Sequence, residues 1–339
     1  MSRALPISLL FAASLLVSLG LAEFVLRAAV EVPYRPPPEP LAPESWRELL
    51  HRPSAVPGLA YELRPGAEKI ALGLPVRINR LGLRDEELRE GEDVLRVAAL
   101  GDSYTFGFGV HAEQAWPHRL EQLLNRDELR YDVLNFGVGG YSTRDEALVL
   151  EHKALPLHPR AVVLAYYLND PETDPVQPLH RAFHPTAWWQ HSVALRFIAM
   201  HANDFAMRRY GDGDYHRYLH FHPGKWGSVV KGFERMAALV GAAGIPLLVA
   251  IFPRTPSGSG WSDYRHADLH ARVAAAAEQN GLRVVDLLEV FAQHDPERLR
   301  LGRNDRHPTP FGHAVAALAL HAPLRELLGE SGAAAEAAP

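Results

Sequence analysis

Short apolar segments alternate with amphipathic segments from residue 94 onward, and this alternation most constrains what the chain can fold into. Each apolar segment is five to seven residues long and is followed by a stretch with helical periodicity. Strands that are apolar throughout are typical of a parallel sheet with both faces covered by helices. The predicted strands cover residues 95–100, 132–136, 161–166, 246–252 and 282–287, and the predicted helices cover residues 113–125, 144–154, 226–243, 264–280 and 310–328.

Local signals mark several helix boundaries. Thr143 and Glu146 have the spacing of a capping box, in which Thr143 is the N-cap and the Glu146 side chain bonds back to it. Gly244 and Gly281 each precede a predicted strand, and glycine is common just after the last helical residue because it adopts positive φ angles easily. The sequence therefore predicts a helix that begins after Thr143 and helices that end at the two glycines.

The first 30 residues predict either a membrane anchor or a signal segment. An uncharged apolar run covers residues 4–22 and ends before Glu23, a length that suits a short transmembrane helix or a long signal-peptide core. Residues 20–22 offer a small-x-small cleavage site, whereas the apolar character of residues 24–30 favours an uncleaved anchor. Both interpretations place the remaining chain on the extracytoplasmic side, anchored or secreted; the alternative is a helix buried in a soluble protein.

The rest of the sequence is predicted to contain a spacer, a domain and a tail. Residues 31–68 include a proline-rich stretch that is typical of a stiff extended spacer. Residues 69–329 form the α/β domain, which starts with a strand pair around residues 69–70 and 76–78. An insertion at residues 171–225 interrupts this domain, and its length predicts a lid or cap with its own helix. Residues 330–339 are expected to be a disordered tail.

Composition excludes several classes of function. The 339 residues include 35 lysines and arginines, 40 aspartates and glutamates, and no cysteine. A net charge of −5 without a basic block argues against a nucleic-acid partner. The lack of cysteine excludes disulfides, thiolate metal sites and a cysteine nucleophile. Any catalytic chemistry must therefore come from other side chains.

Polar residues follow the predicted strands at the edge where the carboxyl ends of parallel strands meet. Ser103 follows the first strand, Gly140 lies in the loop after the second, and Asn169 follows the third. Asp305 and His307 precede the last helix. Ligands of open parallel sheets bind at this edge, so these five residues are expected to lie together.

These residue types fit nucleophilic attack by a serine. A serine hydroxyl needs a base within hydrogen-bond reach, which His307 can supply, and the imidazole needs a carboxylate such as Asp305. The oxyanion of a tetrahedral intermediate needs donors, which the Ser103 and Gly140 amides and the Asn169 side chain can supply. Taken singly, each residue also fits a turn or a helix start, whereas their order at successive strand ends favours catalysis.

Three further residues are candidates for contact with substrate. Arg84 either packs in a turn before the first sheet strand or orients a substrate group, and Tyr104 and Asp170 are weaker candidates for the same role. Asp102 and Asp170 are also expected to brace the loops beneath Ser103.

The insertion is rich in histidine and tryptophan. His216 and His220 are one helical turn apart and precede His222, but no nearby acid completes a metal site, so a polar lid without metal is favoured. Tryptophans at positions 188, 189 and 226 fit either a packed cap or platforms for sugar rings.

The set Ser103, Gly140, Asn169 and His307 resembles the four signature blocks of the SGNH (GDSL-type) hydrolase superfamily. The segments "NRLGLRDEE", "GDSYTFGFGV" and "AWPHRLEQLL" resemble a membrane-anchored bacterial branch of it, and the resemblance covers about residues 75–325. It implies a flavodoxin-like three-layer α/β/α fold with a central parallel five-stranded sheet. It also implies that Ser103 is the nucleophile, that Asp305 and His307 complete a triad, and that Ser103, Gly140 and Asn169 form the oxyanion hole.

The chain departs from the family pattern at two places. Tyr104 stands where the GDSL block has leucine, which leaves the serine intact. One residue separates Asp305 from His307 where many members have two, and the alternative position holds Asn304, which cannot act as a carboxylate.

The resemblance implies a serine-dependent ester hydrolase that acts through an acyl-enzyme and needs no metal or organic cofactor. The expected substrate is an O-acetyl or other acyl ester, on a small molecule or on an envelope polysaccharide. The same residues would serve an O-acyltransferase in which a sugar hydroxyl replaces water. A third alternative is a non-catalytic envelope binding protein that keeps the fold for recognition.

Overall fold

The computed structural model describes residues 4–29, 50–71, 73–91, 93–173, 187–258 and 260–329. The predicted tail and the proline-rich stretch of the predicted spacer lie outside these residues. The strands are β1 (His51–Pro53), β2 (Tyr61–Leu63), β3 (Glu68–Ala71), β4 (Leu74–Arg77), β5 (Leu95–Gly101), β6 (Tyr131–Asn135), β7 (Ala161–Tyr166), β8 (Leu247–Ile251) and β9 (Arg283–Asp286). The helices are α1 (Ala4–Ala29), α2 (Ser103–Phe106), α3 (Trp116–Leu124), α4 (Thr143–Val149), α5 (Val193–Gly211), α6 (Tyr215–Phe221), α7 (Pro223–Ala243), α8 (Ala267–Gln279), α9 (Leu288–Phe291), α10 (Pro296–Leu299) and α11 (Pro310–Leu327).

Five parallel strands form the central sheet in the order β6-β5-β7-β8-β9. This order and the flanking helices confirm the predicted three-layer α/β/α architecture. The order reverses between β5 and β7, because the chain adds β6 on one side of β5 and the later strands on the other. Such a topological switch point opens a crevice at the carboxyl ends of the two strands.

The sheet is buried on both faces because its strands are apolar on both faces. All six residues of β7 are fully buried. Leu164 packs in a cluster with Phe233 of α7, whereas the adjacent Val163 packs on the opposite face with Leu120 of α3. Since each fully buried Val or Leu side chain contributes about 1.5–3 kcal/mol, the two layers hold the strand ends in fixed positions.

The start of α4 differs from the prediction. The N-cap is Ser142 rather than Thr143, and the returning carboxylate is Asp145 rather than Glu146. Asp145 accepts hydrogen bonds from the Ser142 amide at 3.1 Å and from its hydroxyl at 2.9 Å. Glu146 points into the protein and is 1 % exposed, so it cannot reach back to the helix end.

Two glycines end helices as predicted. Gly244 follows α7 with φ 66°, and Gly281 lies beyond the end of α8 with φ 73°.

Residues 50–68 belong to the folded body, which corrects the predicted spacer. Strands β1 and β2 form an antiparallel pair, and Leu50 and Leu63 are buried in the core. The Tyr61 hydroxyl donates to the Gly139 carbonyl at 2.8 Å, and the Tyr141 hydroxyl donates to the Tyr61 carbonyl at 2.7 Å. The predicted pair that follows is present as β3 and β4, with Lys69 opposite Val76 in its register.

Helix α1 is joined to the insertion by polar contacts near its C-terminal end. Its segment Ser8–Ala29 is long and apolar enough to cross a membrane. The Glu23 carboxylate accepts hydrogen bonds from the amides of Val193 and Ala194 at 3.0 and 2.8 Å and from the Ser192 hydroxyl at 2.8 Å. Glu23 therefore caps the N-terminus of α5, where unpaired amides favour a negative charge.

The insertion contains helices of its own, as its length predicts. Helices α5 and α6 lie within it and pack against each other. Trp188, which precedes α5, is 79 % exposed.

Candidate active site

The Gly101-Asp102-Ser103 segment lies at the carboxyl end of β5, and Ser103 opens the short helix α2. The Asp102 side chain caps this helix by accepting a hydrogen bond from the Tyr104 amide at 2.8 Å. The Ser103 amide lies at the helix N-terminus, where amides have no partner within the helix. The strand end and the cap together hold both the hydroxyl and the amide of Ser103 at the sheet edge.

Ser103, His307 and Asp305 form a hydrogen-bonded chain. The distance from Ser103 Oγ to His307 Nε2 is 2.8 Å, and that from His307 Nδ1 to Asp305 Oδ1 is 2.7 Å. Asp305 Oδ1 also accepts the His307 backbone amide at 3.0 Å. These hydrogen bonds from His307 lower the pKa of Asp305, so the carboxylate is ionised and holds the imidazole in place. The one-residue spacing between Asp305 and His307 is therefore compatible with this contact.

Aromatic rings enclose the imidazole. The Phe108 ring lies 4.4 Å from the His307 ring, and the Tyr104 ring lies 5.5 Å from it, measured between centroids. Tyr104 also stacks on Tyr167 at 4.1 Å. The rings restrict the orientation of His307 while leaving its side chain 24 % exposed.

The loop after β6 places glycines against α2 and Ser103. A Cβ at Gly137 would lie 2.2 Å from the Phe106 amide nitrogen, so only glycine fits this crossing of the two loops. A Cβ at Gly139 would lie 3.9 Å from Ser103 Cβ, which shows how closely this backbone passes the serine. Gly140 has φ 82°, a conformation that favours glycine. Gly139, the residue before the predicted amide donor, thus lies close to Ser103.

Asn169 follows β7 and reaches the same edge of the sheet. Its side chain lies close enough to lower the pKa of Asp102, the residue before Ser103, although burial raises that pKa overall. The insertion contacts the residue before Asn169, because His216 Nδ1 lies 3.1 Å from the Leu168 carbonyl oxygen. The structure therefore brings all five sequence-predicted residues to one place at the switch point.

Three carboxyl groups lie buried beneath this site. Asp102, Glu146 and Asp170 are at most 1 % exposed. Burial raises the pKa of each, and repulsion from Asp102 raises the pKa values of Glu146 and Asp170 further. The carboxyl oxygens of Glu146 have no hydrogen-bond partner among the described residues. We therefore assign a neutral acid to Glu146, because an unpaired buried carboxylate is costly.

The candidates for substrate contact lie behind the site, which corrects that prediction. Arg84 is 2 % exposed and donates to the carbonyl groups of Phe106, the last residue of α2, and of Gly107 and Val110 in the loop that follows. Tyr104 is also 2 % exposed, and its hydroxyl donates to the Arg306 carbonyl at 2.7 Å. Asp170 is buried among the carboxyl groups described above. Arg84 and Tyr104 thus bond to the loops of the site, and all three residues are buried.

The histidines of the insertion do not form a metal cluster. No group of three or more metal-ligating side chains occurs in the part of the chain that the structure describes. His220 Nε2 lies 2.9 Å from the Tyr166 hydroxyl in the core. Burial lowers the pKa of His216 to about 4 and that of His220 to about 3, so both stay neutral at neutral pH. They act as internal hydrogen-bonding groups.

A model of the GDSL-like lipase/acylhydrolase family matches residues 99–315, which is more than half of the chain. The chain belongs to this family. The GDSL-like protein is therefore a hydrolase of ester bonds. Comparison with curated protein sequences found no match.

A separate comparison, with solved structures, found proteins similar to this chain, among them the following three. A lipolytic protein of the G-D-S-L family from Desulfitobacterium hafniense DCB-2 is 15 % identical, with 67 % of this chain and 98 % of that one covered and a TM-score of 0.41. The lipase/acylhydrolase from Enterococcus faecalis is 15 % identical, with 70 % and 96 % covered and a TM-score of 0.41. An acetyl xylan esterase is 17 % identical, with 68 % and 100 % covered and a TM-score of 0.42.

Sequence reasoning missed several residues of the GDSL-like site. Phe108 lies five positions after Ser103 and packs on His307, a contact between segments about 200 positions apart. Glu146 was assigned to a helix cap, although it lies among the buried carboxyl groups. A buried acid on the inner face of an amphipathic helix is the signal that could have identified Glu146.

Proposed function

We propose that this GDSL-like hydrolase cleaves an acyl ester by direct attack of Ser103, through an acyl-enzyme. The observation that carries the proposal is the hydrogen-bonded chain from Ser103 through His307 to Asp305, at 2.8 and 2.7 Å. These lengths fall within the range over which a base can take the proton of a nucleophile. The chain ends at a carboxylate, as imidazole-assisted attack requires.

In the first half of the reaction, Ser103 Oγ attacks the carbonyl carbon of the ester. His307 Nε2 takes the hydroxyl proton, and Asp305 stabilises the resulting imidazolium through Nδ1. The negative oxygen of the tetrahedral intermediate accepts hydrogen bonds from the amides of Ser103 and Gly140 and from the side chain of Asn169. The intermediate collapses when His307 returns the proton to the departing alcohol, which leaves an ester on Ser103.

Hydrolysis of the acyl-enzyme by water completes the catalytic cycle. His307 takes a proton from a water molecule, and the hydroxide attacks the acyl carbon under the same oxyanion donors. Collapse of this second intermediate releases the acid and returns the proton to Ser103 Oγ. If a sugar hydroxyl enters instead of water, the same steps transfer the acyl group to the sugar.

The nucleophile can be tested with the full-length protein in detergent. We expect hydrolysis of p-nitrophenyl acetate and covalent labelling of Ser103 by a fluorophosphonate, located by mass spectrometry. Ser103→Ala should lose both, whereas Ser262→Ala, at an exposed loop position, should keep both. Hydrolysis that persists in Ser103→Ala, measured against an empty-vector preparation, would contradict the proposal.

We also infer that the enzyme works at the cell envelope, held by α1. The helix runs unbroken through residues 20–22, the predicted cleavage sequence, which supports an uncleaved anchor. An O-acetyl ester on an envelope polysaccharide is then a substrate within reach. Recovery of the intact chain mass from the membrane fraction supports this location, and recovery of a shortened soluble form contradicts it.

Acetylated glycans distinguish hydrolysis from transfer. Incubation with and without acceptor sugars should release acetate in both cases. Acetate that appears on the acceptor, with little released into water, would identify an acyltransferase instead.

A further inference from the structure

Arg254 stands three residues after β8, at the same sheet edge as Ser103. Its backbone amide donates to the Tyr264 hydroxyl at 3.2 Å, which fixes the loop that carries it. Its guanidinium has no ion pair and no hydrogen bond among the described residues. A cation is thus carried on the loop after β8 without a partner among the described residues.

Arg306 lies between the two predicted catalytic residues of the last loop. Its carbonyl accepts the Tyr104 hydroxyl at 2.7 Å, so its backbone is fixed beside Ser103. Its Nη1 atom is buried and has no hydrogen-bond partner within the described part of the chain. Unpaired buried donors are rare in proteins, and each one needs an explanation such as a ligand.

The guanidinium groups of Arg254 and Arg306 lie near the same tyrosine, Tyr167. Both positive charges act on the Tyr167 hydroxyl and oppose the burial that raises its pKa to about 12. Burial and the charges of Arg254 and Arg300 lower the pKa of Arg306. Tyr167 stacks on Tyr104, the residue next to the nucleophile. The two cations therefore lie within electrostatic reach of Tyr167 and of each other.

The acidic groups nearby are engaged elsewhere. Asp305 binds His307, and Asp214 accepts hydrogen bonds from His266 and from the Arg217 amide. Asp102 is buried beneath Ser103 and accepts the Tyr104 amide. Arg300 differs from the two cations, because it donates to the Ser257 carbonyl at 2.9 Å and lies 3.8 Å from Glu297.

We propose that Arg254 and Arg306 form a subsite for an anionic group of the substrate, so that the enzyme prefers esters that carry a carboxylate or a similar anion. Guanidinium groups bind such anions with paired, charge-assisted hydrogen bonds. The anion would supply the charge and the acceptors that the protein does not. This inference rests on the proposed ester hydrolysis and names the class of its substrate.

Matched pairs of esters test the preference and locate the anion. Acetylsalicylate against phenyl acetate places a carboxylate on the alcohol part, and monophenyl succinate against phenyl butyrate places one on the acyl part. For at least one pair, Arg254→Gln and Arg306→Gln should each lower kcat/KM for the anionic ester about tenfold more than kcat/KM for the neutral ester. A tenfold difference corresponds to about one charge-assisted hydrogen bond. Arg303→Gln, at an exposed position of the same loop, should leave the ratio unchanged.

A binding experiment tests the subsite without turnover. Salicylate and succinate are titrated into the full-length Ser103→Ala protein by calorimetry, and the affinity for one of them should fall about tenfold when Arg254→Gln is added. Unchanged ester ratios in both pairs, together with unchanged affinities, overturn the inference. Serine-independent hydrolysis of phenyl acetate would instead overturn the proposed function, and the calorimetry would still decide on the subsite.

Discussion

Replacement of Arg84 by methionine tests whether this side chain supports the loop after α2 or contacts substrate. The guanidinium donates to the Phe106 carbonyl at 2.9 Å, to the Val110 carbonyl at 2.7 Å, and to the carbonyl of Gly107. It also lies 4.7 Å from the centre of the Phe106 ring. Burial lowers the pKa of Arg84 only to about 10, so the group is charged at neutral pH. Arg84→Met keeps most of the length and removes every donor.

The size of the effect follows from the three carbonyl groups. A hydrogen bond to a charged group contributes about 1.5–3 kcal/mol, and a buried carbonyl left without a donor costs a similar amount. Since contributions within one network are not additive, we expect the free energy of unfolding to fall by about 3–6 kcal/mol. The Ser103 carbonyl accepts the Gly107 amide at 3.1 Å, so distortion of this loop reaches Ser103. We expect kcat to fall more than KM rises.

Thermal unfolding in detergent and steady-state hydrolysis of p-nitrophenyl acetate measure the two effects on the same samples. Arg80→Met is the matched control, because the Arg80 side chain is 64 % exposed and pairs with Glu87 and Glu90 at the surface. We expect its unfolding temperature and kcat to stay close to those of the original chain. An Arg84→Met protein with an unchanged unfolding temperature and a raised KM would refute the reasoning and restore a role in substrate binding.

Three further predictions concern the site and its supports. Asp305→Asn should lower kcat by about a thousandfold or more without preventing the fold, because the imidazolium of His307 loses its carboxylate; a loss below tenfold would contradict this. Burial raises the pKa of Asp85 to about 7, so its contribution to stability is present below pH about 4 and is lost as the pH rises to about 7. Asp85→Asn should remove this loss of unfolding free energy, which is about 4 kcal/mol at most and smaller because Asp85 is partly exposed. Urea unfolding at pH 4.5 and pH 8 measures the difference. Gly137→Ala should prevent folding or reduce the yield of folded protein, because its Cβ would overlap the Phe106 amide, whereas Gly227→Ala, with open space around it, should not; circular dichroism compares the two.

The periodicity of the sequence was sufficient to predict the central sheet. All six residues of β7 are hydrophobic, and the shortness of this run and its two valines favour a strand covered on both faces. Once the strands were placed, the position of Ser103 and Asn169 at adjacent strand ends followed from the topology of parallel sheets. Spacing along the chain therefore gave the location of the site.

Contacts between distant segments could not be predicted in the same way. Ser142 and Thr143 can both cap a helix, and the choice depends on which neighbouring acid is buried by tertiary packing. The carbonyl acceptors of Arg84 lie 22 to 26 positions further along the chain, a distance at which no local pattern acts. Strands β1 and β2 are three residues long, too short for alternation to show.

The contact between Glu23 and α5 affects how this protein should be produced for study. Anchored enzymes are commonly shortened to obtain a soluble form, and a form that begins after Ala29 would lack the carboxylate that caps α5. The first amides of α5 would then be open to water, and the pairing with α6 would loosen from that end. Because α6 carries His216 against the Leu168 carbonyl, the shortened enzyme would have a less rigid loop at Asn169. Rate constants for this protein are therefore best measured on a chain that retains α1.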